Sequence, residues 1–337
     1  LLLAASALVF ISCGSEEPKK EVESQKETRA YKSMKIAFGS CNDEDEPSPI
    51  FESIANQEPD LFIWLGDNVY ADSDVHDSII AAYQKLEEED HYLRFVNTGV
   101  KIMGTWDDHD YGQNDAGKEW GIKDESKDAL LNFLKVDEGD DIRFREGVFN
   151  SRSFGDYDEI KVILLDTRYF RDSLVEDEDP DKRYTANPKG DVLGKAQWEW
   201  LEYEMSDTNA KVVIIGSSIQ VLAQDHGWEK WANFPTAQEK LMTLINQSAA
   251  KVVLISGDRH FGEVSKVMRK EPIYDVTSSG LNHPFIAEAD SNRFRVGPVI
   301  SQQNFGLLNI SWQGEHPQIN ASIRGLQDSL YYQIDIE

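Results

Sequence analysis

From residue 34 onward one pattern recurs along the chain: a short, strongly apolar run that stops abruptly at small or polar residues. "MKIAFGSC" ends at Cys41, "DLFIWLGD" at Asp67, "VKIMGTWDD" at Asp108, "KVILLDTR" at Arg168, "KVVIIGSS" at Ser218 and "KVVLISGDRH" at His260. Length, β-branched content and flanking glycines predict that these are buried strands. Between several of them, "SPIFESIANQ", "HDSIIAAYQKLEEE", "KDESKDALLNFLKV" and "KAQWEWLEYEM" space their apolar residues for one helical face. "TAQEKLMTLINQ" adds a start signal, because Thr236 stands three residues before Glu239 and just after Pro235, a capping-box spacing. Strand and helix alternate, which predicts an α/β architecture with sites at the carboxyl ends of strands. The chemically suggestive residues sit at those ends.

Two stretches break the alternation. "IRFREGVFNSRSFGDYDEIKVILLD" reads as consecutive strands meeting at a Gly155 turn, and "PIYDVTSSG", "FGLLNISW" and "SLYYQIDIE" read as a further antiparallel group. Such mixed connections point to two stacked mixed β-sheets flanked by helices rather than to a pure doubly wound sheet. "LVEDEDPDKRYTANPKGD" reads as a long surface loop. Residues 34–337 thus form one folded domain.

Ahead of that domain, "LLLAASALVFISC" is the apolar part of a secretory signal that lacks an initiating Met and a basic start, so the sequence is expected to begin inside it. Small residues before Cys13 match a bacterial lipoprotein signal over residues 1–13, with Cys13 lipidated; a plain cleaved signal is the alternative. Residues 14–33 then form a flexible charged tether. The expected location is extracytoplasmic and lipid-anchored, in the periplasm or on the surface of a bacterium. Only one other cysteine, Cys41, exists, and a lone thiol in an oxidising compartment is either buried or occupied.

Charge narrows the chemistry. Lys and Arg number 34 against 61 Asp and Glu, a formal net charge of −27, so bulk charge repels nucleic acid and anionic membranes. A phosphate-bearing substrate would need local positive charge, which bound divalent cations supply.

Four constellations carry candidate chemistry, each with a plain structural alternative. In "GDNVYAD", Asp67 ends a strand where a carboxylate can bridge two cations and Tyr70 can offer a phenolate to a strongly acidic metal; a Gly-Asp turn with a core Tyr reads equally well. "SGDRHFGE" sets Asp258 and His260 two apart, on one side of an extended segment, where both can face one ion; a half-buried structural histidine is the alternative. "GTWDDHDYGQNDAG" concentrates Asp107, Asp108, His109, Asp110 and Asp115 after a strand, either as a solvated acidic turn or as a cation cage, and it does not follow the EF-hand pattern. Cys41 in "GSC" suits a thiolate ligand, and Arg168 in "LDTRYFRD" suits phosphate, or else a structural pairing with Asp166 or Asp172.

Taken in order, "GSC", "GDNVY", "WDDHD", "LDTRYFRD", "QWEWL", "SGDRH" and "SSG" make the chain similar to the alkaline phosphatase D (PhoD-like) group of calcineurin-like metallophosphoesterases from about residue 35 to about 285. The resemblance implies a four-layer sandwich of two sheets flanked by helices and a multinuclear metal centre that cleaves phosphate esters. It implies Cys41, Asp67, Tyr70 and His260 as ligands of an iron-type site, Asp67 bridging to a calcium-type site that Asp108 and Asp258 also serve, Asn114 in that shell, and His109 and Arg168 facing the phosphate. Asp107 and Asp110 are then supporting residues. The strand ending "KVVIIGSSIQ" lacks a His that many members of the superfamily use as a ligand, which favours oxygen donors and a hard ion such as calcium; zinc and manganese are kept as alternatives. Nearby His226 is too far along the chain to replace it.

Cations held by Asp67 would generate a nucleophile at neutral pH and clamp the phosphoryl oxygens. The expectation is a metal-dependent hydrolase of phosphate mono- or diesters. A phosphodiesterase or phospholipase D is one alternative, and a non-catalytic cation-binding surface lipoprotein is another.

Overall fold

A computed structural model describes residues 31–206, 209–285 and 291–337. Cys13, the signal and most of the tether lie outside the described residues. At residue 31 the chain is already packed, with the Tyr31 ring 4.6 Å from that of Trp312. In chain order the elements are β1 (Met34–Gly39), α1 (Ile50–Asn56), β2 (Leu61–Leu65), α2 (His76–Glu88), α3 (Asp90–Val96), β3 (Lys101–Thr105), α4 (Asp108–Tyr111), α5 (Lys123–Phe133), β4 (Asn150–Phe154), β5 (Ile160–Leu164), β6 (Val175–Glu176), β7 (Tyr184–Thr185), α6 (Gly194–Met205), β8 (Val212–Ser217), α7 (Pro235–Gln247), β9 (Lys251–Ser256), β10 (Gly262–Met268), β11 (Pro272–Ser278), β12 (Phe305–Gln313), β13 (His316–Arg324) and β14 (Leu330–Ile336).

The strands form two six-stranded sheets, ordered β14-β13-β12-β1-β2-β3 and β10-β11-β9-β8-β5-β4. Strands β1, β2 and β3 are parallel, as are β5, β8, β9 and β11, while the remaining strands add antiparallel partners. Alternation along each strand explains the layers. Ile36, Phe38, Ile63 and Leu65 meet Val162, Leu164, Ile214 and Ile255 between the sheets. Their neighbours Ala37, Phe62 and Trp64 face helices α1 to α5, and Val213, Ile215 and Leu254 face α6 and α7. Strands covered on both faces read as continuous apolar runs, which is the pattern in the sequence. Each buried Ile, Leu or Phe contributes about 1.5–3 kcal/mol, so the strand ends are firmly located.

The β4–β5 hairpin turns at Gly155, whose φ is +92° and where a Cβ would come within 2.2 Å of the Glu159 carboxylate, so only glycine fits. Three expectations are corrected. "PIYDVTSSG" does not join the C-terminal antiparallel group: as β11 it lies parallel to β9 in the other sheet, where its buried run needs cover on both faces. Thr236 caps nothing at α7; Pro235 occupies the first turn, Phe234 stands at the N-cap, and the Thr236 hydroxyl donates to Pro188 O at 2.7 Å. The acidic stretch 174–191 is not structureless, since β6 and β7 pair as a small hairpin. Among the described residues no helix is long and apolar enough to cross a membrane.

Candidate metal centre

Parallel pairing brings the ends of β1, β2 and β3 side by side, and the second sheet brings the end of β9 against them. Cys41, Asp67, Asp108, Asp258 and His260 therefore converge although up to 219 residues separate them in sequence. Four of these residues leave their strands with left-handed backbone: φ is +57° at Cys41, +46° at Asp67, +71° at Asp258 and +56° at His260. Non-glycine residues held in that region are strained, and such strain gathers where a side chain must be aimed. Gly66, at φ +97°, lets the β2 end pass the Asp107 backbone, since a Cβ there would lie 2.5 Å from the Asp107 nitrogen. That is the physical reason for a Gly before Asp67.

Three groups of donor atoms each lie within 4.8 Å of one another: Cys41, Asp67 and His260; Asp67, Asp108 and His109; and Asp107, Asp108 and Asp258. Asp67 belongs to the first two and Asp108 to the last two. The Cys41 thiol is 3.4 Å from Asp67 Oδ2 and 3.1 Å from Ser279 Oγ. His260 Nδ1 bonds to the His283 carbonyl at 2.6 Å, which leaves Nε2 unprotonated for a cation. Asp258 and His260 do not share one ion from an extended segment as the spacing predicts: the left-handed turn between them assigns them to different groups. His109 Nδ1 meets Asp72 Oδ1 at 2.8 Å, and the His109 backbone N–H donates to Asp67 Oδ1 at 3.3 Å.

Burial sets the electrostatics. It pushes the carboxyls of Asp67 and Asp107 and the Cys41 thiol upward, and like charges nearby add to the effect on Asp67 and Cys41. Burial likewise raises Asp258 to about 7, against the pull of Arg259. Asp108 goes the other way: burial opposes ionisation, but Arg168 and His109 hold it at about 2. His260 is lowered to about 4 by burial, so it is a neutral donor. His109 rises to about 10, because Asp72, Asp67 and Asp108 overcome the burial that would lower it.

Such a set is poorly satisfied by protein alone. Among the described residues, the Tyr70 hydroxyl and Asp258 Oδ2 are buried without a hydrogen-bond partner. One thiol, one imidazole and one phenol suit a strongly acidic transition metal, whereas the carboxylates suit a hard divalent ion. The residues present therefore fit more than one bound cation.

Arg168 is placed differently from the resemblance's expectation. It is 0% exposed and lies beneath the cleft. Its guanidinium is ion-paired with Asp107 and, through Nη1 at 2.7 Å, with Glu229. Neither Asp166 nor Asp172 is its side-chain partner: Asp166 accepts from Trp106 Nε1 and backbone amides, and Asp172 pairs with Lys118. Ser218 Oγ, at the strand end that lacks a His, donates to Asp107 Oδ1 at 2.6 Å. Asp110 accepts from the Asp107 and Asn68 amides and from Tyr83, so it supports the turn.

The groups open into a cleft of about 610 Å³. Asp67, Tyr70, Asp108, His109, Asn114, Asp258 and His260 line it. So do Asp115, part of the acidic stretch but given no role there, and residues the sequence did not single out, among them Arg183, Trp228, Glu229 and His283. Asn114 turns its amide onto Asp115 at 2.6 Å. Asp115 also holds Tyr184 at 2.7 Å and Arg183 at 2.8 Å, tying the β6–β7 hairpin to the cleft, and its amide donates to Asp108 at 2.6 Å. A charged Glu between Trp228 and Trp231 was the available signal for Glu229. His226 is no ligand; it bonds to Gln220 at 3.1 Å and receives the Trp228 amide at 3.3 Å.

The family model described as PhoD-like phosphatase matches residues 36–299. No curated protein matches the sequence. Among solved structures, that of PhoD shares 17% identity and a TM-score of 0.71, covering 90% of this chain and 67% of the other. A purple acid phosphatase from yellow lupin seeds is 11% identical with a TM-score of 0.64, and the match spans 92% of this chain but only 54% of the lupin protein. A dimetal phosphatase from Danio rerio is 13% identical with a TM-score of 0.57, covering 90% of this chain and 98% of the other.

Proposed function

We propose, from the premise that this chain belongs to the PhoD-like phosphatase family, that it hydrolyses phosphate mono- and diesters outside the cytoplasm with an iron-type ion and calcium at the strand ends. Membership makes it a hydrolase of phosphate esters that depends on bound metal; ester preference, metal identity and location are the further steps of the proposal. One observation supports it most: Asp67 and Asp108 are each shared between neighbouring groups, so the donors Cys41, Asp67 and His260 run on through Asp108 to Asp107 and Asp258, and these residues would hold two unlike cations side by side. Cys41, Tyr70 and His260 suit ferric iron, and Asp108 and Asp258 suit calcium. When bound, these ions supply a nucleophile at neutral pH and neutralise phosphoryl charge.

The chain's own residues then hold and orient. Asp72 fixes the His109 ring through Nδ1, so Nε2 is the nitrogen that meets a phosphoryl oxygen. Arg168 keeps Asp107 and Asp108 in place from below. The lipoprotein-type signal supports anchoring through Cys13.

Purified protein should hydrolyse aryl phosphate mono- and diesters, lose this with chelator, and lose the metal-dependent rate in Asp67→Ala. Elemental analysis should find iron and calcium. Bound metal without hydrolysis of either ester would favour a cation-binding lipoprotein instead, and a strong preference for diesters would favour a phosphodiesterase. Membrane fractionation of full-length protein with and without Cys13→Ser tests the anchor.

A further inference from the structure

Above the acidic floor the cleft wall carries a feature that cation binding leaves unused. Trp228 lines the cleft and is 45% exposed, although its neighbours Glu229, Lys230 and Trp231 are buried. Its position is built. The Trp228 amide donates to His226 Nδ1 at 3.3 Å, His226 is buried and anchored on Gln220, and Lys230 Nζ donates to the Trp228 carbonyl at 2.9 Å. On the ring side, the Arg259 guanidinium carbon stands 5.4 Å from the indole centroid. A large apolar ring held from several sides yet left half open beside a site is a contact surface awaiting a ligand.

Resting on the phosphatase reading, we infer that Trp228 is a specificity-determining platform that stacks a planar, uncharged or anionic group on the alcohol side of the phosphate ester. Arg259 already stands over the indole, so a quaternary ammonium or other cationic alcohol group would compete with its guanidinium for the ring, while Arg183 in the same cleft is paired with Asp115. A flexible alkyl group would gain the apolar contact but not the face-to-face geometry, and it would lose more rotational freedom on binding.

The test compares benzyl phosphate with butyl phosphate, whose leaving alcohols are similarly basic and differ in the planar ring. Wild-type protein should favour the benzyl ester in kcat/KM. Trp228→Ala should raise KM for benzyl phosphate about three- to tenfold with little change in kcat, and so reduce the benzyl-to-butyl ratio. Trp228→Phe should restore most of that ratio. Benzylphosphonate should likewise inhibit the wild-type protein more tightly than butylphosphonate, a measurement that needs no variant. A ratio that stays the same in Trp228→Ala, or equal inhibition by the two phosphonates, overturns the platform. If the wild-type protein hydrolyses neither these monoesters nor aryl phosphate mono- and diesters with any metal supplied, the phosphatase reading fails and the platform fails with it.

Discussion

Replacing Arg168 with Met separates two roles for the same residue. A guanidinium facing substrate would cost phosphate affinity and little stability. The structure instead buries Arg168 completely, with Nε donating to Asp107 Oδ1 at 2.6 Å and Nη1 to Glu229 Oε2 at 2.7 Å. Methionine fills similar space but leaves two buried carboxylates without that partner. Glu229 keeps Arg171, whose Nε lies 2.9 Å away, so most of the loss falls on Asp107, left with Ser218 Oγ at 2.6 Å and its capping-box contact to the Asp110 amide at the start of α4. Breaking one partner of a buried pair costs about 3–5 kcal/mol. With an unfolding entropy of about 2.1 cal/mol/K per residue over about 300 residues, 4 kcal/mol lowers Tm by roughly 6 °C. Asp107→Asn in the Arg168→Met background removes the orphaned charge and should recover about 1–3 kcal/mol. Scanning calorimetry of wild type, both single variants and the double variant measures all of this. A Tm within 2 °C of wild type for Arg168→Met, by that roughly scaled entropy under 1.5 kcal/mol, combined with a large rise in KM, would refute the buried-pair argument and return Arg168 to the substrate.

Other expectations are independent of that one. Cys41→Ser should lower the iron content measured by elemental analysis while leaving the calcium content near its wild-type value, because only the first group of donors contains the thiol. Divalent-cation affinity of the metal-free protein should rise as pH rises through about 7, because below that pH burial keeps a proton on Asp258 that binding must expel. Isothermal titration at several pH values reads this directly, and an affinity that falls as pH rises from 5 to 7 would contradict the assignment of Asp258. Tyr184→Phe removes the 2.7 Å bond to Asp115 and should cost about 0.5–1.5 kcal/mol locally, seen as faster proteolysis within residues 173–194.

What could be read in the sequence depended on how each residue reaches the site. Cys41, Asp67, Asp108 and His260 terminate apolar runs, and strand periodicity plus parallel order is enough to bring them together. Glu229 and Asp115 come from loops, whose paths depend on distant contacts such as the tie between the β6–β7 hairpin and Asp115. Arg168 shows the limit at a strand end: its type suited phosphate, but depth decides between substrate and ion pair, and depth is a tertiary property. Thr236 shows the same for local signals, since Pro235 at the first helical position took the helix start that the Thr–Glu spacing advertised.

The left-handed backbone at Cys41, Asp67, Asp258 and His260 also sets how this chain would drift if its chemistry were no longer selected. Glycine tolerates that conformation, and each of these side chains holds it at a cost of about 1–2 kcal/mol. Substitutions that destroy the donor set, such as Asp67→Gly or Asp258→Gly, relieve strain and like-charge crowding together, so an inactive descendant should be the more heat-resistant one. Glycines or asparagines at these four positions would therefore mark a silent copy of the fold.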